Sequence, residues 1–495
     1  MARFAARLLL GGILLVGLAL RLWELGRESF WLDEAGRAAI AALPLPAIPA
    51  GVRAIELSPP LYHLLLHGWV QVVGGDDYAV RLLSALLGAS AIPAVYALAA
   101  ALCGSRTALL AALFASVSPL YVAYAREAAM YALFALLALL AALGQAWFLG
   151  AGSSRRGLVL YTGAMLLALY THYYALFLVA AQNVAVWWLT RRKLLPPGHG
   201  RAWLLAQGVL ALGFAPWLPA LWQQAGLAAT VGDWAAPDLA AALGGLITAF
   251  TVGFATDLAP GFIGLVFLPA LALGIGTVAR RPVACALLTC YALVPIGLGL
   301  AAAYPLHAFR ERGFIAIAFV PQVLVAAGLV AAAAPPGRPA PWARGGLSVL
   351  YGGLLLTLLL YGTAAQLAAP KEDWRSAAAL IAALGREGDV LYLLHYGGQL
   401  ALDRYLPPGL PRRGLPADFS WERGYHARYW LEPADLEARL APELGHYRRA
   451  WVILSHADGR GDQQLLDYFD TRYPAVLRQD FYGVRLRLWQ LQPAF

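Results

Sequence analysis

The sequence predicts an all-helical membrane domain followed by a small α/β domain. Three observations carry this reading. Of the 495 residues 60% are hydrophobic and only 13% charged, about half the ~25% charge of soluble domains. Apolar runs of span length, about 20 residues, recur through the first 365 positions. Beyond them, strand-like and helix-like stretches alternate instead. The expected division is therefore 1–365, a polytopic membrane domain, and 366–495, a soluble α/β domain.

The runs lie near 8–23, 83–103, 107–123, 131–150, 158–172, 174–190, 202–221, 262–279, 283–303, 313–334 and 345–362, giving about eleven spans. The first follows "MARFAARLLL", which has the charged and apolar parts of a signal peptide. Its length and the acidic stretch after it favour an uncleaved transmembrane helix. A further apolar stretch, 242–258, is expected to be re-entrant or interfacial. Cys103, Cys285 and Cys290 lie in or at the end of apolar runs and show no metal-binding spacing, so they read as core residues.

Arginine and lysine set the orientation. With a cytoplasmic N-terminus, one set of loops carries Arg106, then Arg155 and Arg156, then Arg191, Arg192, Lys193 and Arg201, then Arg280 and Arg281, then Arg338 and Arg344. Those loops are cytoplasmic, which makes the C-terminal domain external. The net charge of +9 fits loops near anionic lipid. No soluble basic domain is available for nucleic acid. Arg27, Arg37, Arg53, Arg81, Arg126, Arg310 and Arg312 fall on the external side, against the rule. Each alone reads as a snorkelling anchor; clustered beside acids, the set points to a shared anionic ligand.

The first external segment, 24–80, is too long for a plain connection. In "SPPLYHLLLHGWVQVVGG", 58–75, two prolines start a helix too short to span, which is expected to lie along the membrane surface. "SPLYVAYAREAAMYALF", 118–134, reads as a second break at an interface. The C-terminal domain reads as a helix then strand in "DWRSAAALIAALGREGDVLYLL", a strand at 448–456, a helix in "DQQLLDYFDTRY" and a last strand in "GVRLRLWQL". The Pro/Gly/Arg-rich stretch 407–430 is expected to be a loop.

Candidate chemistry concentrates outside the spans. Asp33 and Glu34 stand just after the first helix, flanked by Phe30, Trp31 and Leu32. Partial burial and mutual repulsion suit such a pair to general-base work; capping the helix that follows is the other reading. Arg126, beside Glu127, has the planar fork that grips phosphate oxygens, or forms a local ion pair. Arg310 and Arg312 carry the same two readings. His172 is open to three: metal ligand, proton shuttle or satisfied interfacial side chain.

In order along the chain, "FWLDEA", "SPPLYHLLLHGW", "AVRLLSALLGA", "SPLYVAYAREAAMYAL", "THYY", "RERGFIAIAFVP" and "DWRSAA" resemble polytopic glycosyltransferases of the GT-C class. The similarity is to bacterial and archaeal relatives of the dolichyl-phosphate-mannose–protein mannosyltransferases and the aminoarabinose transferases. It covers the membrane part and is weak over 371–495. The resemblance implies a GT-C-like fold and puts Asp33 and Glu34 in the catalytic loop. It puts the PPLY motif at Pro59, Pro60, Leu61 and Tyr62, with the basic position that follows at Arg81. Arg126, Arg312, Arg310 and Arg81 become donor-phosphate ligands. Glu127, Tyr131, His172, Tyr173, Tyr62 and His63 become substrate-site candidates. Two departures stand out. Relatives often carry Arg where this chain has Ala129, so Arg126 is expected to substitute from the same helix face. The aromatic usual after the late Arg is replaced by Gly313.

The expected activity is inverting transfer of a hexose or pentose from a polyprenyl-phosphate donor to an acceptor hydroxyl, on a glycan, lipid or protein. Transfer is expected at the external face of the cell membrane. No cofactor is called for, and metal dependence stays open. The rival reading is a transporter or flippase of lipid-linked glycans; a non-catalytic carrier-binding protein is the third.

Overall fold

A computed structural model describes residues 2–150, 155–231, 238–306, 309–333, 341–422, 424, 433–455 and 460–492. Arg338 and residues 423 and 425–430 of the expected loop lie outside these. The helices in chain order are α1 (Ala2–Leu22), α2 (Leu32–Ala42), α3 (Ile48–Ile55), α4 (Leu61–Val73), α5 (Asp77–Cys103), α6 (Ser105–Ser116), α7 (Pro119–Ala125), α8 (Tyr131–Leu149), α9 (Arg155–Leu169), α10 (Ala175–Arg191), α11 (His199–Phe214), α12 (Leu218–Val231), α13 (Leu239–Phe250), α14 (Pro260–Val278), α15 (Pro282–Leu306), α16 (Phe319–Ala333) and α17 (Pro341–Ala368). The C-terminal elements are α18 (Trp374–Leu384), β1 (Asp389–Leu394), α19 (Gly398–Tyr405), β2 (Arg412–Leu415), α20 (Pro433–Leu444), β3 (Arg449–Ser455), α21 (Arg460–Asp470), β4 (Ala475–Phe481) and β5 (Val484–Gln490).

The chain forms two compact units. The first holds Met1–Leu25, Ser58–Tyr62 and Arg81–Ala369; the second holds Gly26–Leu57, His63–Val80 and Pro370–Phe495. The stretch after α1 is thus part of the same body as the C-terminal α/β elements, a union the sequence division did not contain.

In the first unit, seven helices among the described residues are long and apolar enough to cross a membrane. Two bent pairs, α6 with α7 and the 3₁₀ turn Glu311–Ile317 with α16, each break by 54° and bring the number to nine. The remaining two expected spans are α9 and α10, of 15 and 17 residues, shorter than a straight crossing requires. The uncertain 242–258 stretch is the 12-residue α13. Small residues let these helices approach closely. A Cβ at Gly274 would lie 1.9 Å from the Leu324 carbonyl oxygen, and one at Gly328 as near that of Ala270, so α14 and α16 touch backbone to backbone. Between α8, α9, α10 and α15 a polar knot is closed by hydrogen bonds. Tyr161 Oη donates to Gln182 Oε1 at 3.0 Å, Gln182 Nε2 to Tyr291 Oη at 2.8 Å, and Tyr291 Oη to Gln145 Oε1 at 3.2 Å.

The second unit is built on a five-stranded sheet of order β2-β1-β3-β5-β4. β2, β1 and β3 run parallel; β5 is antiparallel to β3, and β4 completes a hairpin with β5. Val390, Tyr392, Val452, Leu454, Leu440, Leu465, Phe469 and Trp489 fill one core. Two strands escaped the sequence reading. β2 is four residues long and lies in the stretch expected to be a loop. β4 is an exposed edge whose residues lack the buried alternation that marks a strand.

Candidate active site

In the first unit a cation–aromatic cluster forms where three connections meet: the turn after α7, the α9–α10 bend and the start of the 3₁₀ turn at 311–317. Arg126 ends α7 with φ −101° and ψ 11°, and residues 126–130 are an irregular turn. Arg126 and Ala129 therefore do not share a helix face, contrary to expectation. Ala129 is fully buried and its carbonyl accepts from Ser84 Oγ at 3.3 Å. Ser84 also bonds the buried Tyr62 hydroxyl at 2.8 Å.

The four arginines separate into two pairs. Arg126 Nη1 donates to the carbonyls of Leu20, Arg21 and Trp23, at and just beyond the C-terminal end of α1. Arg81, 1% exposed, donates to the Leu25 carbonyl at 3.1 Å. Both cations thus complement the negative C-terminal end of α1. Arg310 and Arg312 instead adjoin rings. The Arg312 guanidinium lies 5.5 Å from the Tyr131 centroid, and Tyr131 packs on Tyr124 at 4.7 Å and His172 at 5.7 Å. Tyr174 Oη accepts the Arg310 backbone N–H at 3.2 Å. Burial, with Arg312 beside it, pulls the Arg310 guanidinium below its usual range. Arginine does not deprotonate, so the shift marks a guanidinium partly stripped of water, with Arg312 opposing and Glu311 favouring its charge.

His172 stacks on Phe134 at 4.8 Å and 13°, and its Nδ1 accepts the Tyr174 N–H at 3.1 Å. That bond puts the proton of the neutral ring on Nε2. Tyr173 is directed elsewhere: it donates to Gln224 Oε1 and accepts from Trp217 Nε1. Gly313 has a local cause, because a Cβ there would meet the Tyr174 ring at 2.4 Å. An aromatic ring cannot follow Arg312 where Tyr174 already stands. Glu127 lies in the same turn as Arg126, where its carbonyl accepts the Ala129 N–H at 2.8 Å.

In the second unit Asp33 and Glu34 occupy the first turn of α2, where the helix dipole favours carboxylates. Their surroundings differ. The Glu34 side chain is 0% exposed and pairs with Lys371 Nζ at 3.3 Å. The Asp33 side chain is 30% exposed, with Oδ2 3.2 Å from Arg37 Nη2. Arg37 is itself buried and bonds Glu56 Oε1 at 2.7 Å through Nε. His63 is buried with its Nε2 3.9 Å from the same Glu56 oxygen. Burial, with Arg37 second, lowers the His63 pKa to about 3, so its ring is neutral near pH 7. Among the described residues no group of three or more His, Cys, Asp or Glu side chains is spaced to hold a metal ion.

Glu56, Lys371, Glu372 and Tyr174 were not singled out in the sequence. One signal existed for Lys371: the chain has only two lysines, Lys193 and Lys371. Lys371 lies 337 positions from Glu34, a distance that no local pattern spans.

Residues 58–220 match the family described as dolichyl-phosphate-mannose–protein mannosyltransferase, a third of the chain. No curated protein sequence matches. Among solved structures the chain is similar to apo ArnT from Cupriavidus metallidurans, at 14% identity, 99% of this chain, 98% of that chain and a TM-score of 0.56. The same protein bound to undecaprenyl phosphate gives 15%, 99%, 98% and 0.52. The archaeal oligosaccharyltransferase AglB from Archaeoglobus fulgidus, with an inhibitory peptide and a dolichol-phosphate, gives 12%, 98%, 74% and 0.60. With its apolar spans, its small C-terminal sheet and these likenesses, the chain is a multi-pass membrane protein with the GT-C glycosyltransferase fold.

Proposed function

We propose that the protein is an inverting glycosyltransferase of the cell membrane. It moves a sugar from a polyprenyl-phosphate donor to an acceptor hydroxyl at the external face. The observation that carries the reading is the pair Arg310 and Arg312, two positions apart beside the Tyr131 and Tyr174 rings, two guanidinium forks suited to a phosphodiester headgroup. The lipid-phosphate ligands named in the two neighbouring structures support the same donor class.

The chemistry follows from the charges. The acceptor oxygen attacks the sugar's anomeric carbon as its proton passes to Asp33, the more exposed of the two acids. The bond from that carbon to the phosphate oxygen breaks, and its electron pair leaves with the phosphate. Arg310 and Arg312 stabilise the charge released there. A single displacement inverts the anomeric centre. Glu34, held by Lys371, keeps the first turn of α2 in place.

The test is mass spectrometry of polyprenyl-linked sugars and surface glycans in a strain lacking the protein. Such a strain should accumulate one lipid-linked sugar and lose one glycan modification. The parent gene should restore both; Asp33→Asn should restore neither. Unchanged pools in the deletion strain, or full restoration by Asp33→Asn, would overturn the reading.

A further inference from the structure

Residues 29–34 lead into α2 and carry the acid pair. Trp31 stands at the helix N-cap without a side-chain hydrogen bond, so the first N–H groups of α2 need partners from elsewhere. One is supplied from across the sequence: Glu372 Oε2 accepts the Leu32 N–H at 3.3 Å. That carboxylate is steadied by Trp374 Nε1, which donates to the same oxygen at 2.7 Å, and the Trp374 side chain is buried. Ser29 Oγ donates to the Glu372 carbonyl at 2.5 Å. Between them, the Phe30 N–H donates to Tyr405 Oη at 2.7 Å, and the Arg404 guanidinium lies 4.6 Å from the Phe30 ring centroid.

Behind this contact sits a buried hub, Asp77. Its Oδ2 accepts from Tyr405 Oη at 2.5 Å and Arg375 Nη2 at 2.7 Å; its Oδ1 accepts from Arg404 Nη2 at 2.8 Å. These three side chains and Asp77 line a cavity of about 500 Å³. Burial and the bond to Asp77 push the Tyr405 hydroxyl up, so it stays protonated and keeps donating to Asp77 while accepting from Phe30.

We infer that Glu372 and Tyr405, with Asp77 behind them, are positioning residues that set the Asp33 carboxylate for proton acceptance. The C-terminal α/β elements then serve as the frame of the acid turn. This rests on the reading of Asp33 as base. The consequence is specific: loosening the frame lowers turnover and leaves donor binding intact, since both residues bond the backbone of the acid turn. Displacements of about 1 Å at a reacting group cost up to ~10²-fold.

The experiment is a double-mutant cycle in full-length protein, with a short-chain polyprenyl-phosphate sugar as donor. Tyr405→Phe and Glu372→Ala should each lower kcat about ten- to hundredfold, with donor KM changed less than about twofold. Glu372→Gln keeps an acceptor oxygen and should recover most of the loss. In an Asp33→Asn background, Tyr405→Phe should cost less than about twofold more, because the group it positions is gone. A purely structural role predicts the opposite: penalties that multiply in that background, or that follow a fall in thermal midpoint. Either result overturns the inference while leaving Asp33 as base. Full activity of Asp33→Asn alone would instead remove the base reading, and this inference with it.

Discussion

Arg126→Ala and Arg312→Ala should fail in different ways, and the structure says how. Arg126 Nη1 is committed to backbone carbonyls at residues 20, 21 and 23. Removing it uncaps the end of α1. A hydrogen bond to a charged group contributes about 1.5–3 kcal/mol, and a cation at a helix C-terminus about 0.3–1 kcal/mol. Arg126→Ala should therefore cost about 2–3 kcal/mol of stability, with donor KM in the surviving folded fraction near that of the parent. Arg312 lies over the Tyr131 ring beside Arg310. Losing one charge-assisted contact to the donor phosphate costs about 1.5–3 kcal/mol of binding in the transition state, a fall in kcat/KM of about ten- to hundredfold. The assay pairs thermal unfolding in detergent with kcat/KM for a short-chain polyprenyl-phosphate sugar. The reasoning is refuted if Arg126→Ala lowers kcat/KM at an unchanged midpoint while Arg312→Ala matches the parent.

Other outcomes follow from the same geometry. Asp33→Asn should reduce kcat by about 10²–10⁴-fold with donor KM held within a few fold; retention of a tenth of the parent rate would contradict general-base catalysis. Stability should fall with acid: His63 binds a proton in the unfolded chain below about pH 6.5 but resists it in the fold down to about pH 3. At pH 5.5 that difference amounts to about 1.4 kcal/mol, and His63→Gln should flatten the change in midpoint between pH 7.5 and 5.5. Gly313→Ala should displace the Tyr174 ring, and with it Arg310; kcat/KM should drop while Arg126→Ala, the comparison variant, leaves it unchanged. A reporter fused after residue 495 should be active only outside the cytoplasm, and activity inside would reverse the proposed topology.

Much of the membrane part was legible because hydropathy is a local property. A run such as 262–279 declares a helix without reference to the rest of the chain, and α14 lies there. Breaks were legible for the same reason: Thr171 and His172 interrupt an apolar stretch, and α9 and α10 separate there. Roles of individual arginines were not. Arg81, Arg126, Arg310 and Arg312 look alike in sequence, and only their partners divide them into helix-end anchors and ring-flanked cations. Arg126 illustrates the limit: its three-residue spacing from Ala129 suggested one helix face, but α7 ends at residue 125. The acid pair was visible as an anomaly of charge, whereas the asymmetry between Asp33 and Glu34 depends on Lys371.

The Ser29–Glu372 contact joins positions 343 residues apart, and that interval is also a time. At roughly 5–20 residues per second, Glu372 is synthesised about 17–70 s after Ser29. Through that interval the acid turn has no Glu372 to cap it, no Lys371 for Glu34 and no Tyr405 for the Phe30 N–H. The second unit cannot close until synthesis has passed residue 405. A nascent chain that has already threaded its helices through the bilayer is, by this account, still catalytically silent. Assembly of the acid turn is thus tied to the synthesis of residues 371–405.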